Sequence, residues 1–351
     1  MIVKDCNIHK HPIYKMTKFL IFCLSVCSYY QLHAQQLIVS HLQCQYQEYP
    51  LGVEDVSPHL SWQLSALHRN VMQSAYRILV ADNEALLQEN VGNIWDSKKV
   101  ISGQSIQVMY NGIKLQSGNE YFWKVMVWDN QDTASKWSKT SAWQMGLLSR
   151  KDWKGAQWIA YADMPDSLRI VPGIHGNGDP KLGTGKDILP LLRKQFVIRK
   201  TIKKATAFIA GLGHFDLELN GKKVGDHFLD AGWTQYSKNA LYVTFDITNQ
   251  LKKGGTVIGV MLGNGFYYTP RERYSKITIA YGYPKMICRV VLEYADGSTE
   301  NIVSDNSWKT DRGPVTFSSI YGGEDFNATL DQAGWDLPSF NDQSWKNALI
   351  V

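Results

Sequence analysis

Residues 211–248 read GLGHFDLELNGKKVGDHFLDAGWTQYSKNALYVTFDIT, and this stretch decides the fold. Phe215, Leu217 and Leu219 alternate with Asp216 and Glu218, the period of two that places apolar side chains on one face of a strand and polar ones on the other. Asn220-Gly221 then supplies a two-residue turn that tolerates positive φ, and a second run begins at Val224. After the aromatic loop GWTQY at 232–236, residues 241–247 are rich in β-branched and aromatic side chains and predict a return strand. A hairpin, an aromatic loop and a return strand make up one edge of a jelly-roll sandwich. A second aromatic loop, LGNGFYY at 262–268, follows it.

Working outward, residues 257–261, 286–294, 300–303 and 308–310 supply further strands, with Asp296-Gly297 as another tight turn. Upstream, alternating runs at 37–39, 60–64, 75–80, 105–110 and 120–128 are separated by turn signals, the rhythm of a fibronectin-III-like sandwich. Trp62, Trp123 and Trp128 lie inside these strands and read as core, not as sugar platforms. Residues 147–191 read as a linker. Within it, 163–190 lose strand pattern and gain Gly and Pro, which predicts an exposed loop and the first site of proteolysis. The expectation is an all-β chain of two tandem β-sandwiches, fibronectin-III-like over 37–146, then a galactose-binding-like jelly roll over 192–351.

Composition agrees. The 351 residues carry 12 Trp, 18 Tyr and 28 Gly, many for this length, and no helical heptads. Lys10, Lys15 and Lys18 precede an apolar run at 19–24, and Ala34 offers a small residue for cleavage. Residues 1–34 therefore read as a signal peptide, with Met16 an alternative start, and the run is too short to span a bilayer. A secreted or periplasmic protein is expected. Four Lys and one Asp leave with the leader, so three of the five net positive charges go too, and no basic stripe remains for nucleic acid. Cys44 and Cys288 stay, in different predicted domains, and read as two buried thiols; no Cys-x-x-Cys or His-Glu-x-x-His motif points to zinc.

Several phrases carry a family resemblance. YPLGV at 49–53 with SPHLSW at 57–62 opens the series. LLRKQF at 191–196, LNGK at 219–222, GWT at 232–234, LGNG at 262–265, DNSW at 305–308 and YGGEDFNA at 321–328 follow. Their order and spacing resemble the N-terminal accessory region of bacterial α-L-rhamnosidases, glycoside hydrolase family 78, over nearly all of 37–351. The resemblance implies rhamnose-containing plant glycans as ligands and an (α/α)6 catalytic barrel downstream as partner. Nothing in this chain has the long amphipathic helices of such a barrel. No catalytic residue of the family can be placed here, and the fragment alone is expected to be inactive.

Glu324-Asp325 is an acidic pair in a Gly-flanked aromatic loop. Adjacent residues on an extended segment point to opposite faces, so the pair is badly placed to flank one glycosidic bond. Glu324 reads as a loop or barrel contact. Carbohydrate binding asks for an aromatic face beside amides and carboxylates. Asp230, Trp233 and Tyr236 offer that mixture, as do Asn264, Phe266, Tyr267 and Tyr268, with Glu324 near the same rim. The competing expectations are that Trp233 plugs one end of the sandwich and that Asn264 holds a left-handed turn. No cofactor is required. The resemblance allows calcium, since some related domains hold rhamnose through it, yet calcium needs six to eight oxygen ligands and no compact acidic loop marks such a site. A free carbohydrate-binding protein, or a purely structural two-sandwich module, is the alternative function.

Overall fold

The structure is a computed structural model that describes residues 37–171, 189–270 and 278–351. The predicted leader and most of the predicted Gly/Pro-rich loop lie outside the described residues. The chain divides into two compact units. One comprises residues up to Pro50 with Asp55–Leu115 and Glu120–Trp143; the other comprises Leu51–Glu54, Gln116–Asn119 and Gln144–Val351. Among the described residues no helix is long and apolar enough to cross a membrane.

The first unit pairs Ile38–Cys44 with His59–Ser65, which pairs in turn with Val108–Met109. Its larger sheet centres on Gln73–Ala81 and Glu120–Asp129, antiparallel with Ile78 opposite Val125. Trp62 and Trp123 are 3% and 0% exposed. The Trp62 indole N–H donates to Gln73 Oε1 at 3.0 Å and its ring meets Tyr76 edge-on at 5.4 Å. Both are core. Trp128 is half-buried and lies under the Lys99 ammonium, 4.6 Å from the ring centre.

In the second unit two six-stranded sheets face each other. One runs in the order Lys222–Lys223, His214–Leu219, Gly254–Gly263, Pro190–Ile198, Lys309–Arg312, Lys346–Asn347. The other is built on Ile202–Leu212 and Lys285–Tyr294, in register with Ile209 opposite Cys288. Leu192, Leu217 and Val260 from the first sheet share a core with Ile209, Cys288 and Val290 from the second. This is a sandwich. The 215–219 alternation is realised as read: Phe215, Leu217 and Leu219 are at most 4% exposed, and the turn places Asn220 and Gly221 at φ 50° and 77°. Cys44 and Cys288 are free and buried, and burial pushes both thiols up to about 12.

Part of the stretch read as linker belongs to the second unit. Ile159–Ala160 joins its sheet, pairing with Lys285 and Met286 on one side and with Leu349–Ile350 on the other. Met164 and Ile170 are buried with Tyr268, Ala280 and Tyr283, so residues 163–171 are not a free loop. A two-residue strand is too short for alternation to reveal it.

Residues 332–345 form a strap against the first sheet of this unit. Trp335 packs on Gly259, where an added Cβ would meet its ring at 2.8 Å. It also stacks on Trp345, with centroids 6.4 Å apart. Glu218, half-buried on the same face, has its carboxyl pushed from 4.5 up to about 7 by burial, then by Asp336 on the strap and Asp216; Lys223 opposes them. A raised folded-state value means the folded chain binds this proton more tightly than the unfolded chain. Glu218 is therefore without cost to folding below 4.5, and its penalty grows as pH rises through about 7. Glu218→Gln is expected to stabilise the unit at pH 8 by on the order of 1–2 kcal/mol after solvent screening, and to leave it unchanged at pH 4. Urea titrations at the two pH values check this; equal shifts at both would contradict it.

Candidate functional site

The site rises from two loops at one end of the second unit. Gly254–Gly263 ends in a turn that Asn264 closes. Its carbonyl accepts from the Tyr268 N–H at 3.2 Å, and its side-chain amide donates to the Ser318 carbonyl at 2.8 Å. With this loop pinned, Tyr268–Thr269 pairs with Ile279–Ala280, and Phe266, just before that pair, is half-buried. Trp233 stacks on Phe266, with centroids 4.6 Å apart and planes 26° apart. Behind the pair, Tyr267 and Tyr281 stack at 5.7 Å, and Tyr236 meets both edge-on at 5.3 and 5.6 Å.

These rings border a cleft of about 420 Å³ lined by Trp233, Thr234, Gln235, Tyr236, Phe266, Ile279 and Tyr281. Its size suits one sugar unit. Burial pushes Tyr267 up to about 12 and raises Tyr236 and Tyr281 as well, so these phenols are neutral near pH 7. The cleft offers ring faces, the Thr234 hydroxyl and the exposed Gln235 amide. No carboxylate lines it, so it can hold the apolar face of a pyranose but has no acid–base pair to cleave one.

Of the residues expected from sequence, Trp233 and Phe266 line this cleft and Tyr267 backs it. Trp233 is 64% exposed and does not plug the sandwich. An indole whose partner is a neighbouring loop ring has no need of the core. Asn264 is 0% exposed, so it positions the loop and cannot itself touch a ligand in this geometry. Glu324 lies elsewhere, in a second cleft with His214, Asp216 and Phe228, where its carboxylate accepts from the Ser318 hydroxyl at 3.2 Å. Asp230 does not line the aromatic cleft either; its carboxylate faces His227 Nδ1 at 3.1 Å and its carbonyl accepts from the Phe215 N–H. Ile279 and Tyr281 were missed. The alternation of Ile279, Tyr281 and Tyr283 was the available signal. Among the described residues no group of three or more His, Cys, Asp or Glu side chains is placed to hold a metal ion.

Comparison with known proteins places both units. Residues 39–149 match the Rha78A-like, N-terminal immunoglobulin domain, and residues 200–351 match the alpha-L-rhamnosidase N-terminal domain. An α-L-rhamnosidase of Formosa agariphila is 34% identical over 95% of this chain and 36% of its own length. The solved α-L-rhamnosidase from Dictyoglumus thermophilum superposes with a TM-score of 0.77 at 38% identity, over 90% of this chain and 34% of that one. The Streptomyces avermitilis enzyme complexed with L-rhamnose shares the fold, with a TM-score of 0.78 at 22% identity over 90% of this chain and 45% of its own. The chain thus spans about a third of the first two relatives. Matched in both of its units by N-terminal domain models of these enzymes, and similar over at least 90% of its length to about a third of two much longer relatives, the chain belongs to glycoside hydrolase family 78 as an N-terminal portion.

Proposed function

We propose that this chain is the accessory, non-catalytic region of a secreted α-L-rhamnosidase that removes terminal α-L-rhamnose from plant glycans or glycosides. Its aromatic cleft holds a sugar unit while a downstream barrel performs hydrolysis. The observation that carries the reading is the Trp233–Phe266 stack, a solvent-facing ring pair at the mouth of a cleft without carboxylates. A face of C–H groups, as in a 6-deoxy sugar, packs on such rings by dispersion and apolar burial, and neutral phenols and amides take up hydroxyls. The pattern of residues 1–34 supports export, with cleavage near Ala34.

Hydrolysis needs two carboxyl groups flanking the bond. Glu324 and Asp325 sit on one strand, Gly323–Phe326, and so face opposite sides. The chain by itself is therefore expected to release no nitrophenol from 4-nitrophenyl α-L-rhamnoside above the buffer rate. Turnover that Glu324→Gln abolishes would overturn this reading.

A further inference from the structure

A third and larger cleft, about 950 Å³, opens in the second unit between residues 147–158 and 236–242. Its walls are aromatic and its rim is cationic. Trp153 meets Tyr242 edge-on at 5.7 Å. The Tyr242 hydroxyl accepts from the Leu147 N–H at 2.8 Å and bonds to Glu54, and burial pushes its pKa up. Glu54, the one carboxylate in the lining, accepts that phenol hydrogen bond and keeps its negative charge, against the two cations Arg150 and Lys238. Arg150 and Lys238 line the same cleft, are exposed, and have no carboxylate partner among the described residues. Asn239 adds an exposed amide.

Two unpaired cations beside aromatic walls select an anion with an apolar face. A guanidinium pairs with a carboxylate through two parallel N–H···O bonds, and an ammonium adds a point charge. We propose that this cleft is a separate glycan site for a carboxylate-bearing pyranose, a hexuronate unit, with Arg150 and Lys238 on the carboxylate and Trp153 against the ring. The volume accommodates two or three sugar units. Tyr236 lines both this cleft and the neutral aromatic one, so one glycan chain can reach across its ring from one cleft to the other. The site goes beyond the rhamnose reading and does not depend on it.

The test is calorimetric titration of the chain with trigalacturonate, with the neutral trisaccharide galactotriose and with inorganic sulfate as a bare anion. Trigalacturonate is expected to bind, more weakly as salt rises, with galactotriose and sulfate at least about tenfold weaker, a difference of about 1.4 kcal/mol. Arg150→Gln with Lys238→Gln is expected to cost about tenfold in trigalacturonate affinity while leaving L-rhamnose binding unchanged; Trp233→Ala is expected to do the reverse. If the double variant fails to fold, Lys238→Glu alone, at an exposed loop position, gives the same readout. Equal affinity for acidic and neutral sugars, equal affinity for sulfate, or no effect of either variant overturns the proposal. Loss of rhamnose binding alone counts against the aromatic cleft and not against this one.

Discussion

Arg193→Ala is expected to lower the unfolding free energy of the second unit by about 3–5 kcal/mol, the cost of breaking a buried charge network. Arg193 is 1% exposed in the middle of Pro190–Ile198. Its Nε donates to the Trp335 carbonyl at 2.8 Å and its Nη2 to the Leu337 carbonyl at 3.1 Å, while Nη1 pairs with Asp342. The guanidinium also lies 5.4 Å from the Phe340 ring centre. One side chain therefore satisfies two strap carbonyls and a carboxylate at once. Alanine would leave all three facing a void. Arg193→Lys keeps the charge but not the fork, so it should recover only part of the loss. Urea unfolding followed by tryptophan fluorescence reads the effect, since Trp335 and Trp345 stack within the strap. A change under about 1 kcal/mol would mean that the strap is not held by Arg193.

The sandwich of the second unit was legible because its strands are long and its faces unequal. Residues 214–219 alternate cleanly, and Asn220-Gly221 is a turn that few other dipeptides can make. Ile159–Ala160 was not legible, because two residues carry no period. The strap was not either: QAGWDLPSF at 332–340 reads as loop, and only the buried Arg193 shows what it is anchored to. For the site, the aromatic loops were visible as composition, but which rings meet was not. The Asn264 amide turns inward to hold its loop, with Gly265 and not Asn264 taking the left-handed position at φ 51°, while the Trp233 indole stands outside. Tyr281 enters the cleft beside a strand pair, Tyr268–Thr269 with Ile279–Ala280, whose partners lie about ten positions apart, beyond any local pattern.

Trp233→Ala is expected to weaken L-rhamnose binding at least about tenfold, a loss of about 1.4 kcal/mol. The indole supplies the exposed face of the cleft, and removing it takes away the stacking surface together with the partner that holds Phe266 in place. Because Trp233 is 64% exposed, stability should fall by no more than about 1 kcal/mol, the worth of an aromatic pair beyond its burial. Asn264→Ala is expected to behave differently: it removes a buried hydrogen bond, so it should lower stability by about 1–3 kcal/mol and weaken sugar binding only through disorder of the loop. Calorimetry for affinity and thermal unfolding for stability separate the two. Equal losses of binding at unchanged stability would make Asn264 a ligand contact after all.

The sugar proposed to rest against the rings of the aromatic cleft is neutral, and its expected affinity is near the millimolar range, about 4 kcal/mol. Saturation-transfer difference NMR of L-rhamnose, run on the chain and on its Trp233→Ala variant with calcium present and then chelated, measures that contact directly. With the aromatic protons irradiated, the methyl group and one face of the ring should receive saturation from the chain, with or without calcium, and lose it in the variant. No transfer at high rhamnose, or transfer of equal strength from the Trp233→Ala variant, would contradict the account.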